Sequence, residues 1–327
     1  MNSHPGSRVP PTGRVGPFLL IVAAAGLWGT SGVLRSGLAL ELPAATVVFH
    51  EHLLLVLFTV PWLPRALRTF CGLPLRGRAA VLLIGVGASA VATTLFTAAF
   101  RYGDPTGPLL LQKLQPVLAV MAAAVLLRER PGRRFLPLAV VAVVGGYLIS
   151  FPDPLAVRVE QLAPALLALG AATLWAGGTV LGRAVAPNIP PMELTALRFA
   201  VGLPAALLLA AWQHGGEGLL ITSSDVLPLV MLALGPGLLA MSLYYRGLVH
   251  TPASVATLGE LAFPFTAVTL GAVVAGQALN GSQTMGALAL VGAITVLALA
   301  SRDRPLVRPA SPGDPLLAFN GPSPGHP

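Results

Sequence analysis

Lysine is almost missing from this chain. Of 20 basic residues, 19 are arginine and one is lysine, Lys113, and that lysine sits inside an apolar run. Charge of either sign is scarce: 10% of the 327 residues are charged, where a soluble domain carries about 25%. The shortfall excludes an ordinary globular enzyme and puts the chain in the membrane class. Cysteine is single, Cys71, which excludes an intrachain disulfide and says nothing of redox compartment. Catalytic patterns are missing as well. There is no HExxH, no GxSxG and no pair of aspartates within an apolar segment, so an intramembrane enzyme has no constellation to work with. GxxxxGK[ST] is absent, so the chain carries no such loop for nucleotide-driven work.

What is present is apolar. Hydrophobic residues make up 55% of the chain, and its mean hydropathy is +0.79. The net charge of +8 has the sign of a nucleic-acid binder, but the arginines occupy short gaps between apolar runs, where a membrane protein keeps its cytoplasmic anchors. The partner they imply is the bilayer and not nucleic acid. A spanning helix takes about 20 mostly apolar residues. That rule yields ten segments, approximately Pro17–Arg35, Ala44–Trp62, Ala79–Phe100, Pro105–Leu127, Phe135–Phe151, Pro164–Ala186, Pro191–Trp212, Val226–Tyr245, Pro252–Ala275 and Gln283–Ala300. The first run starts behind Arg8 and Arg14 like a signal peptide, yet it continues to Leu34 and is repeated internally, so it is read as retained. Residues 1–16 and 301–327, rich in Pro, Gly and Ser, are expected to be disordered tails. With both termini in the cytoplasm, the inner gaps hold most arginines and the outer ones only Arg35, Arg101 and Arg158, which predicts a plasma-membrane protein of that orientation.

The chain repeats itself. AAGLWGTSGVL (Ala24–Leu34) matches AATLWAGGTVL (Ala171–Leu181), placing Trp28 against Trp175 at an offset of 147. TVVFHEH aligns with LTALRFA at 148, which sets His50 against Arg198, and the fourth helices align at the same offset, which sets Gln112 against Glu260 and Pro116 against Pro264. A near-constant offset over four helices signals an internal duplication. Each copy has five helices, 17–151 and 164–300, joined by a linker at 152–163. Five is odd, so the second copy enters the membrane inverted. The predicted fold is therefore an all-α integral membrane protein of ten transmembrane helices in two inverted five-helix repeats, an arrangement typical of secondary transporters.

These features together resemble the drug/metabolite transporter superfamily, in its two-repeat EamA-like branch. The likeness rests on the tryptophan in the first helix of each half and the Pro, Leu and Arg spacing at the second. It also rests on the fourth helix with its internal proline followed by Glu129-Arg130, and on the glycines of the closing helices, Gly145, Gly146, Gly286 and Gly292. It covers residues 17 to 300 and implies ten helices, cytoplasmic termini and movement of a small polar metabolite or drug, usually outward. The chain departs from that pattern with His50 where the first half usually has arginine, and with Gln277 in place of a second acidic residue.

Ionisable residues inside spanning helices are costly and mark candidate functional groups. At 1.5 Å per residue, Lys113 lies about 12 Å and Glu51 about 10 Å below the outer ends of their helices, with Arg198 and Glu260 at comparable depths from the inner side. Two intramembrane ion pairs are expected from those levels, Glu51–Lys113 and Arg198–Glu260, either locking helices or binding substrate. The candidate substrate-binding residues are Lys113, Gln112, Gln115, Glu260, Arg198, Trp28 and Trp175. The candidate proton carriers are Glu260, Glu51 and His50, since histidine titrates near neutrality. Pro116 and Pro264 should free the carbonyls of Gln112 and Glu260. His50 and His52 are two apart on a helix and face opposite sides, so no metal site and no cofactor is expected. Tyr244 and Tyr245 read as interfacial anchors. A cavity with Lys, Arg, Glu and Gln suits a zwitterion such as an amino acid. The function expected is a small-molecule secondary transporter, an exporter working by alternating access and drawing on a proton gradient, and a homodimer is compatible with it. The alternatives are a non-transporting sensor or assembly protein, or an intramembrane enzyme.

Overall fold

The structure is a computed structural model that describes residues 15–99, 101, 112, 114–133, 135–151, 153–156, 162–214, 219–275, 278–303 and 307–308. Lys113, Gln277 and residues 1–14 lie outside the described residues, as does most of the expected C-terminal tail.

Ten helical segments follow one another among the described residues. They are α1 (Val15–Glu41), α2 (Ala44–Gly72, tightened into a 3-10 turn at Val60–Trp62), α3 (Leu75–Ala99), α4 (Gln115–Leu126) and α5 (Phe135–Ser150). The second five are α6 (Leu162–Asn188), α7 (Pro191–His214), α8 (Ser223–Leu248), α9 (Ala253–Gly259 continued by Ala262–Ala275) and α10 (Gly281–Asp303). Seven of these are long and apolar enough to cross a bilayer; α4, α5 and α10 are shorter apolar helices. Large apolar side chains such as Leu136, Val140, Val144, Leu288 and Val291 remain exposed on α5 and α10. A helix bundle solvated by lipid has that surface, because lipid tails are as apolar as leucine.

Packing shows the duplication directly. Helix α1 lies on α8 and α9, and its counterpart α6 lies on α3 and α4. Helix α7 packs on α3, as α2 packs on α8; α2 pairs with its own counterpart α7, and α5 with α10. The two halves are thus exchanged by a pseudo-two-fold relation, and each contributes to the other's environment. Helix α3 widens to a π-helical stretch over Ile84–Val91, and α8 does so over Ala233–Leu239. A π turn puts an irregularity inside a helix and is frequent at functional sites. Small residues permit the close crossings: a Cβ on Gly85 would stand 2.6 Å from Val201 of α7, and one on Gly145 of α5 would stand 2.8 Å from the Leu290 nitrogen of α10.

One expectation about the first helix is corrected. Helix α1 runs on past Arg35 to Glu41, so Arg35 is a buried intramembrane residue and not an outer-loop anchor. Its charge is tolerated there because an acid on the next helix meets it. At the other end α10 extends to Asp303, and Val307–Arg308 pairs antiparallel with Arg130–Pro131 between α4 and α5.

Candidate functional site

A cavity of about 180 Å³ opens between the halves, walled by α1, α2, α3, α4, α6, α7, α8 and α9. One water needs about 10–15 Å³ on this measure, so the space holds on the order of a dozen waters.

Its walls are ring faces. Trp28 of α1 and Tyr244 of α8 lie with centroids 5.1 Å apart, tilted by 51°. Trp175 of α6 meets Phe96 of α3 at 5.0 Å and 64°, close to edge-on. The two repeat-related tryptophans therefore stand in the same cavity, each packed on an aromatic from the opposite repeat. Such pairs prefer offset or edge-to-face geometry, and they present rigid apolar area to whatever enters.

Glu260 is the polar centre of the second half. It occupies the break in α9, where Leu261 N–H bonds to the Leu258 carbonyl (3.2 Å) and Phe263 N–H to the Glu260 carbonyl (3.0 Å). Pro264 has no N–H to offer the Glu260 carbonyl one turn back, and the tighter bond from Phe263 replaces it. Gln115 Nε2 of α4 donates to Glu260 Oε2 at 2.7 Å. On Oε1, Tyr244 Oη approaches at 2.7 Å and Thr179 Oγ1 of α6 at 3.0 Å, the two hydroxyls being 2.9 Å apart. One carboxyl group so ties together four helices drawn from both repeats. Gln112 also lines the cavity, and its Oε1 is buried without a partner among the described residues.

Glu51 holds the first half. Arg35 Nη2 donates to both of its oxygens, at 3.0 and 2.9 Å, and Arg35 Nη1 donates to Thr97 Oγ1 at 3.2 Å. Both side chains are more than nine-tenths buried. Of the two ion pairs expected from sequence, Glu51–Lys113 lies outside the described residues, and Glu51 is engaged by Arg35. Arg198 and Glu260 line one cavity, but Arg198 donates to neutral partners, through Nη1 to Tyr245 Oη (3.3 Å) and through Nη2 to the Ala88 carbonyl in the π stretch of α3 (2.9 Å). Similar depth on two helices does not fix the direction in which a side chain points, and here each side chain is engaged by neutral groups.

Within the His50-Glu51-His52 triplet, Glu51 and His52 line the cavity and His50 does not. His50 Nδ1 lies 2.9 Å from the Thr46 carbonyl, one helical turn back. His52 bridges the Val48 carbonyl (2.8 Å) and Ser89 Oγ of α3 (2.9 Å). Among the described residues no cluster of three His, Cys, Asp or Glu could hold a metal.

Sequence reasoning missed several members of this constellation, Phe96, Thr97 and Ser89 among them. Arg35 looked like a loop residue, and Tyr244 and Tyr245 looked like belt anchors although both are buried. Thr179 gave no signal beyond lying near Trp175. The offset could have found Tyr245, which stands 148 positions after Thr97, the other residue that contacts a buried arginine.

Comparison with known proteins agrees with this architecture. Residues 16–151 and again 162–299 match the EamA-like transporter family. A riboflavin transporter, ImpX, of Fusobacterium nucleatum is 31% identical over 84% of this chain and 94% of its own length. An uncharacterized transporter, YwfM, of Bacillus subtilis is 30% identical over 86% of this chain and 93% of its own. A crystal structure of 22% identity superposes with a TM-score of 0.68 over 88% of this chain and 98% of that one, which shows a shared fold. With two family matches covering both halves, and relatives aligned along nearly their whole lengths, the chain belongs to the EamA-like transporter family and is a multi-pass membrane transporter, not an enzyme.

Proposed function

We propose that the protein carries a small, polar, ring-bearing solute out of the cell across the plasma membrane, by alternating access around the cavity between its repeats. The observation that carries this reading is the aromatic lining: Trp28 on Tyr244 and Trp175 on Phe96, each pair made across the repeats. Inverted-repeat transporters bind near the midplane at the repeat interface and rock one half against the other. Pairs that cross that interface are broken and remade in such a motion. The arginine distribution supports cytoplasmic termini. Riboflavin, named for the Fusobacterium relative, is one ring-bearing candidate, and an aromatic amino acid is a smaller one. Export is the direction proposed. A proton gradient supplies the energy, with Glu260 as the carrier because one carboxyl there touches four helices. Glu51, engaged by Arg35, is the second acid on the same path.

The test is transport in proteoliposomes loaded with riboflavin, tryptophan or leucine. Movement of one of the ring-bearing solutes, reduced at least about tenfold in both Trp28→Ala and Trp175→Ala, supports the reading. A tenfold effect is about 1.4 kcal/mol, within the range of a lost aromatic contact with its buried area. Transport of leucine alone, or of a ring-bearing solute at undiminished rate in both variants, removes the aromatic site from the account.

A further inference from the structure

The proposed transport reading leaves one charge in the cavity without an explanation. Arg198 is 8% exposed and lines the cavity. Its described partners are a tyrosine hydroxyl and a backbone carbonyl, and its Nε is buried with no partner among the described residues. Arg35, the other buried arginine beside the cavity, has both oxygens of Glu51 on one nitrogen. Glu260, the other acid among the described lining residues, has both oxygens engaged by Gln115, Thr179 and Tyr244. No described carboxylate lies within ion-pair distance of Arg198. A guanidinium stays charged in proteins, and a buried charge is stable when paired.

We infer that Arg198 is a docking point for a negatively charged group of the substrate, so that the transported solute is an anion or carries a carboxylate beside its ring. The inference rests on the cavity being the substrate site. The π stretch of α3 supplies the geometry. Its Ala88 carbonyl holds Nη2, and Tyr245 holds Nη1, so the guanidinium is fixed in position before the ligand arrives. A preorganised guanidinium favours carboxylate or phosphate over neutral isosteres.

Matched ligands that differ by one charge test this. The protein in detergent is titrated with indole-3-acetate and indole-3-acetamide, and separately with acetate and acetamide, with thermal stabilisation as the readout. In the wild type the indole carboxylate should bind at least about tenfold more tightly than the amide, since hydrogen bonds to charged groups carry the larger share of such differences. Arg198→Gln should bring that ratio near one, and Arg198→Lys should keep a preference for the anion. A wild-type ratio near one overturns the inference, as does a ratio that survives Arg198→Gln. So does the failure of every ligand to stabilise the protein. If both indoles bind equally, the ring site stands and the anion site falls. If acetate stabilises the wild type and not Arg198→Gln, while the indole adds nothing, the anion site stands and the ring site falls. Should Arg198→Gln fail to fold, because it loses the tie to Ala88, the wild-type ratio and Arg198→Lys decide.

Discussion

The two repeats treat a buried arginine differently. In the first, Arg35 and Glu51 form a closed pair: charge meets charge across α1 and α2, with Thr97 of α3 completing the set. In the second, Arg198 and Glu260 share a cavity without pairing, each surrounded by neutral groups. The duplication would have put similar chemistry in both places. At the repeat-related position the first half has His50, and it does not reach the cavity. A closed ion pair is suited to holding helices at fixed spacing. An open pair of opposite charges, each with neutral partners, is suited to exchanging them for something mobile, a proton or a solute. On the reading proposed above, the first pair holds its helices while Glu51 keeps its charge, and the second is the more readily exchanged.

The sharpest way to break that comparison is Glu51→Gln. It leaves Arg35 charged, buried and facing an amide, and removing one partner of a buried pair costs about 3–5 kcal/mol. Unfolding in detergent by heat or denaturant should show that loss, and the double change Arg35→Met with Glu51→Leu should recover most of it, because two apolar groups of similar shape are often neutral in such a site. A loss under about 1 kcal/mol for the single change would take Arg35–Glu51 out of the scaffold and into the moving part.

Glu129 offers a middle case. It is buried at the end of α4 and accepts the N–H groups of Ala253 (2.7 Å) and Ser254 (3.0 Å) and the Ser254 hydroxyl, at the first turn of α9. A carboxylate there satisfies donors that a helix start leaves free and meets the positive end of its dipole. Glu129→Gln keeps an acceptor but removes the charge, and should cost about 1–2 kcal/mol. Hydrogen exchange gives a local check: the amides of Ala253 and Ser254 should exchange faster in the variant, while those of α5 and α10 stay unchanged.

Much of this architecture is legible in the sequence, for a physical reason. Apolar length predicts spanning helices, and an offset of 147 or 148 predicts the duplication. Both are properties of the chain that no partner can alter. The cavity is legible in part: Trp28, Trp175, Gln112, Gln115, Arg198, Glu51 and Glu260 all line it. The pairing is not. Arg35 closes the expected span Pro17–Arg35 and so reads as an end residue; the helix continues to Glu41 and keeps it inside, opposite Glu51. Tyr244 and Tyr245 sit next to Arg246 at a helix end, where aromatic belts normally occur, and only the packing of α8 against α1 turns them inward. Hydropathy reports depth along a helix axis and carries no information about rotation around it, which decides which side chains meet.

The smallest stability change should come from Glu260→Gln, the same chemical change made at the other buried acid. Its partners are hydroxyls and an amide. The new amide oxygen keeps Tyr244 and Thr179, and Gln115 can turn its own amide to accept from the new NH2, since Gln carries both donor and acceptor. Stability should therefore fall by less than about 1 kcal/mol, the net worth of a typical intramolecular hydrogen bond. Transport should change in kind: with no proton to gain or lose at this position, its dependence on pH should flatten while solute binding persists. Variant and wild-type rates in proteoliposomes, compared across the pH range in which the wild type responds, decide the matter. A pH profile that survives the substitution moves proton coupling to Glu51 or away from the cavity, and a loss of stability as large as that of Glu51→Gln would make the second half a scaffold like the first.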